Sequence, residues 1–211
     1  MTVIAVTGRK GGIGKSTITG NLAGEFAAMG KRVQVLDTDP QQSLCSWANL
    51  GDGLLRQITR AVETEHPERF KQAVEQAKKA ADIVLIDTPP AFADPALLAA
   101  LLADIVLLPA GPSPLDIMAA LELVKEARQQ RGGKKPLIRF VPSKTISRAG
   151  MSQDLPQTLE TLGAPVLPGI TQRTVVAEAA LTGLTVAEFP RINLARGEFR
   201  QLADAVLSLI D

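Results

Sequence analysis

Cysteine is almost absent from this 211-residue chain, where Cys45 stands alone. That excludes an internal disulfide, an all-cysteine zinc site and an iron–sulfur cluster held within one chain, and it is compatible with a reducing compartment. Tyrosine is missing altogether and aromatic residues make up 3% of the sequence, too few for a platform that stacks the bases of single-stranded nucleic acid. Charge of one sign is not in excess either: 23 Lys+Arg face 22 Asp+Glu, for a formal net charge of +1. A polybasic, histone-like protein is excluded, whereas a local basic patch is not. The longest apolar stretch, Pro95–Pro109, is broken by Asp104 and is too short to cross a bilayer. The apolar start, Met1–Thr7, leads into Gly8-Arg9-Lys10, the reverse of the charge order of a secretory signal. A cytoplasmic protein is expected.

What is present is an ordinary globular composition, 45% hydrophobic and 21% charged. The length suggests one domain over residues 1–211. Short β-branched runs at Thr2–Thr7, Arg32–Leu36, Ile83–Ile86, Ile105–Leu108 and Leu137–Val141 alternate with helix-length segments at Ser16–Met29, Pro67–Ala81, Pro95–Ala103, Leu115–Gln130 and Ser152–Leu162. Runs apolar nearly throughout fit strands covered on both faces. The alternation predicts an α/β fold, a mostly parallel sheet flanked by helices. From Leu194 to Ile210, Phe199, Leu202, Ala203, Val206 and Ile210 recur at helical spacing, as in a core-packing helix. His66 has no second histidine with which to share a metal and reads as a loop or helix-start residue.

The strongest signal is Gly8-Arg9-Lys10-Gly11-Gly12-Ile13-Gly14-Lys15-Ser16-Thr17, between an apolar strand and a helix. Gly11, Gly12, Ile13 and Gly14 offer backbone N–H groups that turn inward around an anion, and the following helix adds its positive end. Lys15 can reach the β- and γ-phosphates, the Ser16 hydroxyl suits Mg²⁺, and Thr17 suits the α-phosphate. The strict phosphate-loop pattern asks for glycine at position 9, where this chain has Arg9. A narrower pattern, Lys10-Gly11-Gly12-x-Gly14-Lys15-Ser16, fits instead.

That run resembles the deviant Walker A motif of the ParA/MinD family of P-loop ATPases. The resemblance extends through Asp37-Thr38-Asp39-Pro40-Gln41, similar to the family's first switch. It continues through Asp82-Ile83-Val84-Leu85-Ile86-Asp87-Thr88-Pro89-Pro90, similar to its Walker B strand and second switch. Leu108–Asp116, Ile170-Thr171-Gln172-Arg173 with Glu178-Ala179, and Gly183–Phe189 carry it over nearly the whole chain. It implies ATP with Mg²⁺. Lys10 would reach the partner's nucleotide across a dimer, Lys15 would bind phosphate, and Asp39 would orient the attacking water. Ser16, Asp37 and Asp87 would serve the metal. Asp116 is either a dimer contact or a helix-start charge.

Within the family, a nitrogenase-type iron protein needs two cysteines and a tyrosine kinase needs tyrosines. A MinD-like membrane helix would need basic residues where Leu202–Asp211 has none. No N-terminal helix-turn-helix is expected ahead of the strand at Thr2. The resemblance therefore implies a small ParA-type positioning ATPase. Such a protein forms an ATP-dependent homodimer and binds non-specific double-stranded DNA of the nucleoid. A ParB-like or adaptor protein on the cargo stimulates its hydrolysis, and no membrane is involved. A plasmid, a chromosome region, a chemoreceptor cluster and a carboxysome-like compartment are all open as cargo. Arg173, Arg191, Arg196 and Arg200 are the DNA candidates, with Lys134 and Lys135 behind them; such a residue taken alone is more often a solvated surface residue. The basic run Arg131–Arg148 is either a solvated rim or a phosphate-contacting surface. Cys45 reads as a packed thiol near the first switch, and Trp47 as a packing residue or a partner contact. The alternative is a biosynthetic enzyme resembling dethiobiotin synthase or an amidoligase, using ATP to activate a carboxylate. Lys10 and the Asp37–Gln41 run favour the positioning class.

Overall fold

The computed structural model of the chain describes residues 1–8, 10–90, 94–113, 118, 136–146, 150–190 and 193–210. The expected helix Leu115–Gln130, apart from Met118, lies outside these residues, as do Arg9, Asp116, Arg131, Lys134, Lys135, Arg148 and Arg191.

The strands are β1 (Thr2–Val6), β2 (Val33–Asp37), β3 (Thr59–Ala61), β4 (Ile83–Asp87), β5 (Ile105–Ala110), β6 (Leu137–Thr145) and β7 (Ile170–Thr171). They form one seven-stranded sheet in the order β3-β2-β4-β1-β5-β6-β7, and every pair in it is parallel. The described helices are α1 (Lys15–Ala28), α2 (Ser43–Ala48), α3 (Leu54–Ile58), α4 (Pro67–Ala80), α5 (Asp94–Leu102), α6 (Gly150–Glu160), α7 (Thr174–Leu181) and α8 (Leu194–Leu207).

Strand side chains alternate between faces, so a run that is apolar throughout feeds two cores at once. Ile4, Val6, Ile83, Leu85, Ile105 and Leu107 join Phe26 of α1, Trp47 of α2 and Phe199 of α8 in one core. Their neighbours Val3, Ala5, Val84, Ile86, Val106 and Leu108 join Phe70 of α4, Ala99 of α5 and Leu159 of α6 in the other. The result is a three-layer sandwich with the sheet as its middle layer. The expected core helix at the end of the chain is α8, whose Phe199, Leu202, Ala203 and Val206 are fully buried.

Register sets up the site. Val6 pairs with Asp87 across β1 and β4, and Asp37 pairs with Asp87 across β2 and β4. The two aspartates therefore end neighbouring strands in one row, beside the loop that leaves β1. Ligands in open parallel sheets bind at this carboxyl edge, where successive connections diverge to opposite sides.

Candidate nucleotide site

The chain passes from β1 to α1 through a glycine turn. Gly12 and Gly14 have φ of +75° and +95°, left-handed values that cost other residues steric strain. At Gly14 space is also short, since a Cβ there would lie 2.9 Å from Ser143 Oγ. That hydroxyl donates to the Ile13 carbonyl at 2.7 Å, tying the loop to β6. From the other side, Asn21 Nδ2 donates to the Thr17 carbonyl while Asn21 Oδ1 accepts from Val186 N, each at 2.8 Å. The first turn of α1 holds no acidic residue, so its N-terminal N–H groups face no competing side-chain anion of their own helix.

Lys15 is buried, with 6% of its surface exposed, and its Nζ donates to the Lys10 carbonyl at 3.3 Å. Burial lowers its pKa, and the charges of Asp87 and Asp39 oppose that shift. The ammonium thus feels both carboxylates expected to serve metal and water. Lys10 itself is exposed at the surface of the loop.

The three aspartates differ in what already holds them. Asp37 is spoken for by backbone: Oδ1 accepts from Asp39 N at 3.1 Å, and Oδ2 accepts from Leu44 N and Cys45 N at 3.1 and 3.0 Å. It anchors both the switch turn and the start of α2. Asp39 is half-buried at the tip of that turn, and its Oδ1 accepts from Gln41 N at 2.9 Å. Asp87 is fully buried; Thr19 Oγ1 donates to its Oδ1 at 3.2 Å, while Oδ2 has no partner among the described residues. Burial, with the nearby Asp37 charge, pushes its pKa up to about 7, against the pull of the Ser16 and Thr19 hydroxyls and Lys15. Thr38 locks the two strand ends together, donating from its N–H and its hydroxyl to the Asp87 carbonyl at 3.0 and 2.6 Å.

An orphaned, buried carboxylate oxygen beside a serine hydroxyl suits a hard cation that takes its other ligands from phosphate and water. Among the described residues no three His, Cys, Asp or Glu side chains group into a protein-only metal cage. The donor set thus fits Mg²⁺ held by Ser16 and Asp87.

The Ile170–Arg173 segment, Trp47 and Lys144 of the basic run come together in a wall beside this loop. A cavity of about 370 Å³ is lined by Gly14, Thr17, Trp47, Ser143, Lys144 and Gln172, among others. Lys144 has φ of +54°, at a shift of register between β6 and β7. Trp47 packs on α1, with its ring over Gly20. Cys45 is half-buried and its thiol is pushed up to about 12, chiefly by burial, so it stays protonated and inert at neutral pH.

The arginine candidates separate. Arg173 lines the cavity and forks onto Glu198, with Nη2 and Nε at 2.7 and 3.2 Å from Oε1. Arg196 and Arg200 lie one turn apart on another side of α8 and face Glu25. Arg191 is outside the described residues.

The chain is 31% identical over 211 residues to maintenance of carboxysome distribution protein A of Halothiobacillus neapolitanus, covering 97% of this chain and 95% of that one. It is 34% identical over 208 residues to the protein of the same name in Gloeobacter kilaueensis, with coverage of 96% and 92%. The fold matches the structure of a Cyanothece McdA variant in complex with ATP, with a TM-score of 0.78 at 17% identity over 100% of this chain and 96% of that one. Residues 4–186 match the model of the CobQ/CobB/MinD/ParA nucleotide-binding domain. With its parallel sheet and its glycine turn between β1 and α1, the chain belongs to the CobQ/CobB/MinD/ParA family of nucleotide-binding domains.

Proposed function

We propose that the chain is an ATPase, slow unless stimulated, that dimerises around ATP and in that state holds non-specific double-stranded DNA to position a cargo. One domain would carry the whole cycle, in the cytoplasm and on the nucleoid, with a cargo-bound partner protein stimulating hydrolysis. The carboxysome is the first cargo to test, because both relatives named above are named for its distribution and span nearly all of this chain.

The observation that carries this reading is that one sheet edge holds the glycine turn with its buried Lys15, Asp87 tied to α1 through Thr19, and the Asp37–Asp39 turn on the strand beside it. Backbone N–H groups from Gly11 to Thr17 bind the phosphates, and Lys15 sets a desolvated cation against them. Mg²⁺ held by Ser16 and Asp87 supplies charge neutralisation on the phosphate oxygens. Asp37 has its oxygens committed to backbone N–H groups, so it serves the metal site indirectly, by fixing the turn that aims Asp39. Asp39 orients the attacking water, and Lys10 extends toward the nucleotide of a second copy. The cavity beside Gly14 and Thr17 gives the base its room.

The biosynthetic alternative shares the phosphate loop. It gives no role to Lys10 or to the Asp39 turn. The deciding experiment is retention on random-sequence duplex DNA with ATP, with ADP and without nucleotide, at one moderate salt concentration, because salt sets such binding. ATP-selective retention supports the positioning class. No retention in any state, with ATP binding intact, overturns it in favour of the biosynthetic enzyme.

A further inference from the structure

Glu25 lies in the second half of α1, the helix that opens at the phosphate loop. It has no exposed surface, and neither carboxylate oxygen has a hydrogen-bond partner among the described residues. A buried acid in that condition is costly unless a charge compensates it. Compensation comes from α8, at a distance: Arg196 Nε lies 3.6 Å from Oε1 and Arg200 Nη1 lies 3.8 Å from Oε2. Both are ion pairs too long to be hydrogen bonds. A cavity of about 410 Å³ opens here, lined by Glu25, Phe189, Asn193, Arg196, Gly197 and Arg200. Over Gly197 the space is open, with nothing within 4 Å of where a Cβ would stand. The arginine side chains are 51% and 46% exposed, so they can turn outward without breaking the core. Asp204 adds a second acid 3.5 Å from Arg200. Burial raises the pKa of Glu25, the two arginines lower it, and Asp204 raises it.

We infer that Glu25 is an internal competitor for DNA: it holds Arg196 and Arg200 in loose ion pairs that the phosphodiester groups of a duplex must displace. The inference rests on the DNA-binding reading above. The contrast with Arg173 supports it. Arg173 is fixed to Glu198 by two hydrogen bonds, whereas Arg196 and Arg200 make none to Glu25: the cost of their leaving is the Coulomb attraction that compensates the buried carboxylate and, for Arg200, the long pair with Asp204. Phosphate oxygens offer those guanidiniums the short, charge-assisted bonds that the buried carboxylate does not. Glu25 thereby sets how strongly the surface binds DNA while touching neither DNA nor nucleotide.

The test is anisotropy of a labelled random-sequence duplex with ATP and Mg²⁺ across a salt series. The proteins are the wild type, Glu25→Gln, Glu25→Asp, the Arg196→Gln/Arg200→Gln pair, and that pair combined with Glu25→Gln. Glu25→Gln should bind about fivefold tighter, and its log–log salt slope should steepen by about 1–2 as the freed guanidiniums meet phosphates. Glu25→Asp, whose shorter carboxylate draws back from both arginines, should fall between. It also carries the test alone if the glutamine variant does not fold, thermal unfolding being the check. In the background lacking both arginines, Glu25→Gln should change nothing. Wild-type binding without a gain in the variants overturns the competition alone, as does an equal gain in the arginine-less background, which a mere change of net charge would give. No ATP-dependent binding by any protein overturns both the DNA reading and the competition.

Discussion

At the scale of single residues, one sheet edge carries three aspartates whose jobs are set by what already binds them. Asp37 is consumed by backbone N–H groups, Asp87 is buried with one oxygen unused, and Asp39 stands half-exposed on a turn. Replacing Asp39 by alanine should therefore leave ATP binding nearly intact and slow hydrolysis about 100-fold, the range for losing one group that acts only in the transition state. Phosphate release at saturating ATP measures it, and wild-type turnover would remove Asp39 from the water-positioning role. Lys15→Ala should instead abolish ATP binding in calorimetry. Lys15, Ser16, Asp39 and Asp87 are legible in the sequence because their chemistry is written in local motifs. The commitment of Asp37 was not, since its partners Leu44 N and Cys45 N depend on a helix of six residues. Glu25 was invisible for a related reason: its partners lie on α8, far along the chain.

At the scale of elements, polar clamps hold the sheet and the loop in register. Arg32 and Asp82 face each other at the starts of β2 and β4, with Nη2 and Nε donating to the carboxylate at 2.7 and 3.2 Å and Arg32 N donating at 3.0 Å. Those bonds lower the Asp82 pKa to about 2. A depressed folded-state pKa gives stability that is present above the unfolded carboxyl value, about 4, and is lost as pH falls toward the folded one. Asp82→Asn should lower the thermal midpoint modestly at pH 7, the pair being exposed, and the gap to wild type should close between pH 4 and pH 2. A gap constant across that window would show that the arginine–carboxylate charge is not what stabilises the edge. Asn21 is the stronger clamp, because it joins the Thr17 carbonyl at the phosphate loop to Val186 N. Asn21→Ala orphans a buried N–H and should cost about 1–3 kcal/mol in denaturant unfolding. The long strands and helices were readable because two-faced burial makes them apolar throughout and amphipathic helices repeat at their own period. The short pieces, α2, α3, β3 and β7, span too few residues for any period to show. They are placed instead by tertiary fit, as where Gly51 meets Thr182 backbone too closely for a side chain.

At the scale of the whole molecule, a formal net charge of +1 cannot hold DNA by bulk attraction, and the described arginine candidates each face an acid within the same chain. A single copy therefore offers a weak, partly neutralised surface. Two copies clasped by ATP would double it, and a second set of contacts on one duplex is made at high effective concentration, which raises retention without any new kind of contact. DNA retention should thus depend on dimerisation more steeply than on any single arginine. Lys10 separates the two effects, because it sits exposed on the loop ahead of α1, whereas the arginines lie on α8. Lys10→Ala should still bind ATP, should sediment as a monomer with ATP and Mg²⁺, and should lose DNA retention although every arginine is intact. Sedimentation velocity and the duplex assay on the same sample read both quantities. A Lys10→Ala protein that dimerises and stays on DNA with ATP would take the lysine out of the interface. One that stays monomeric yet holds DNA as well as wild type would show that a single copy suffices, and that the doubled surface is not the source of ATP-selective binding.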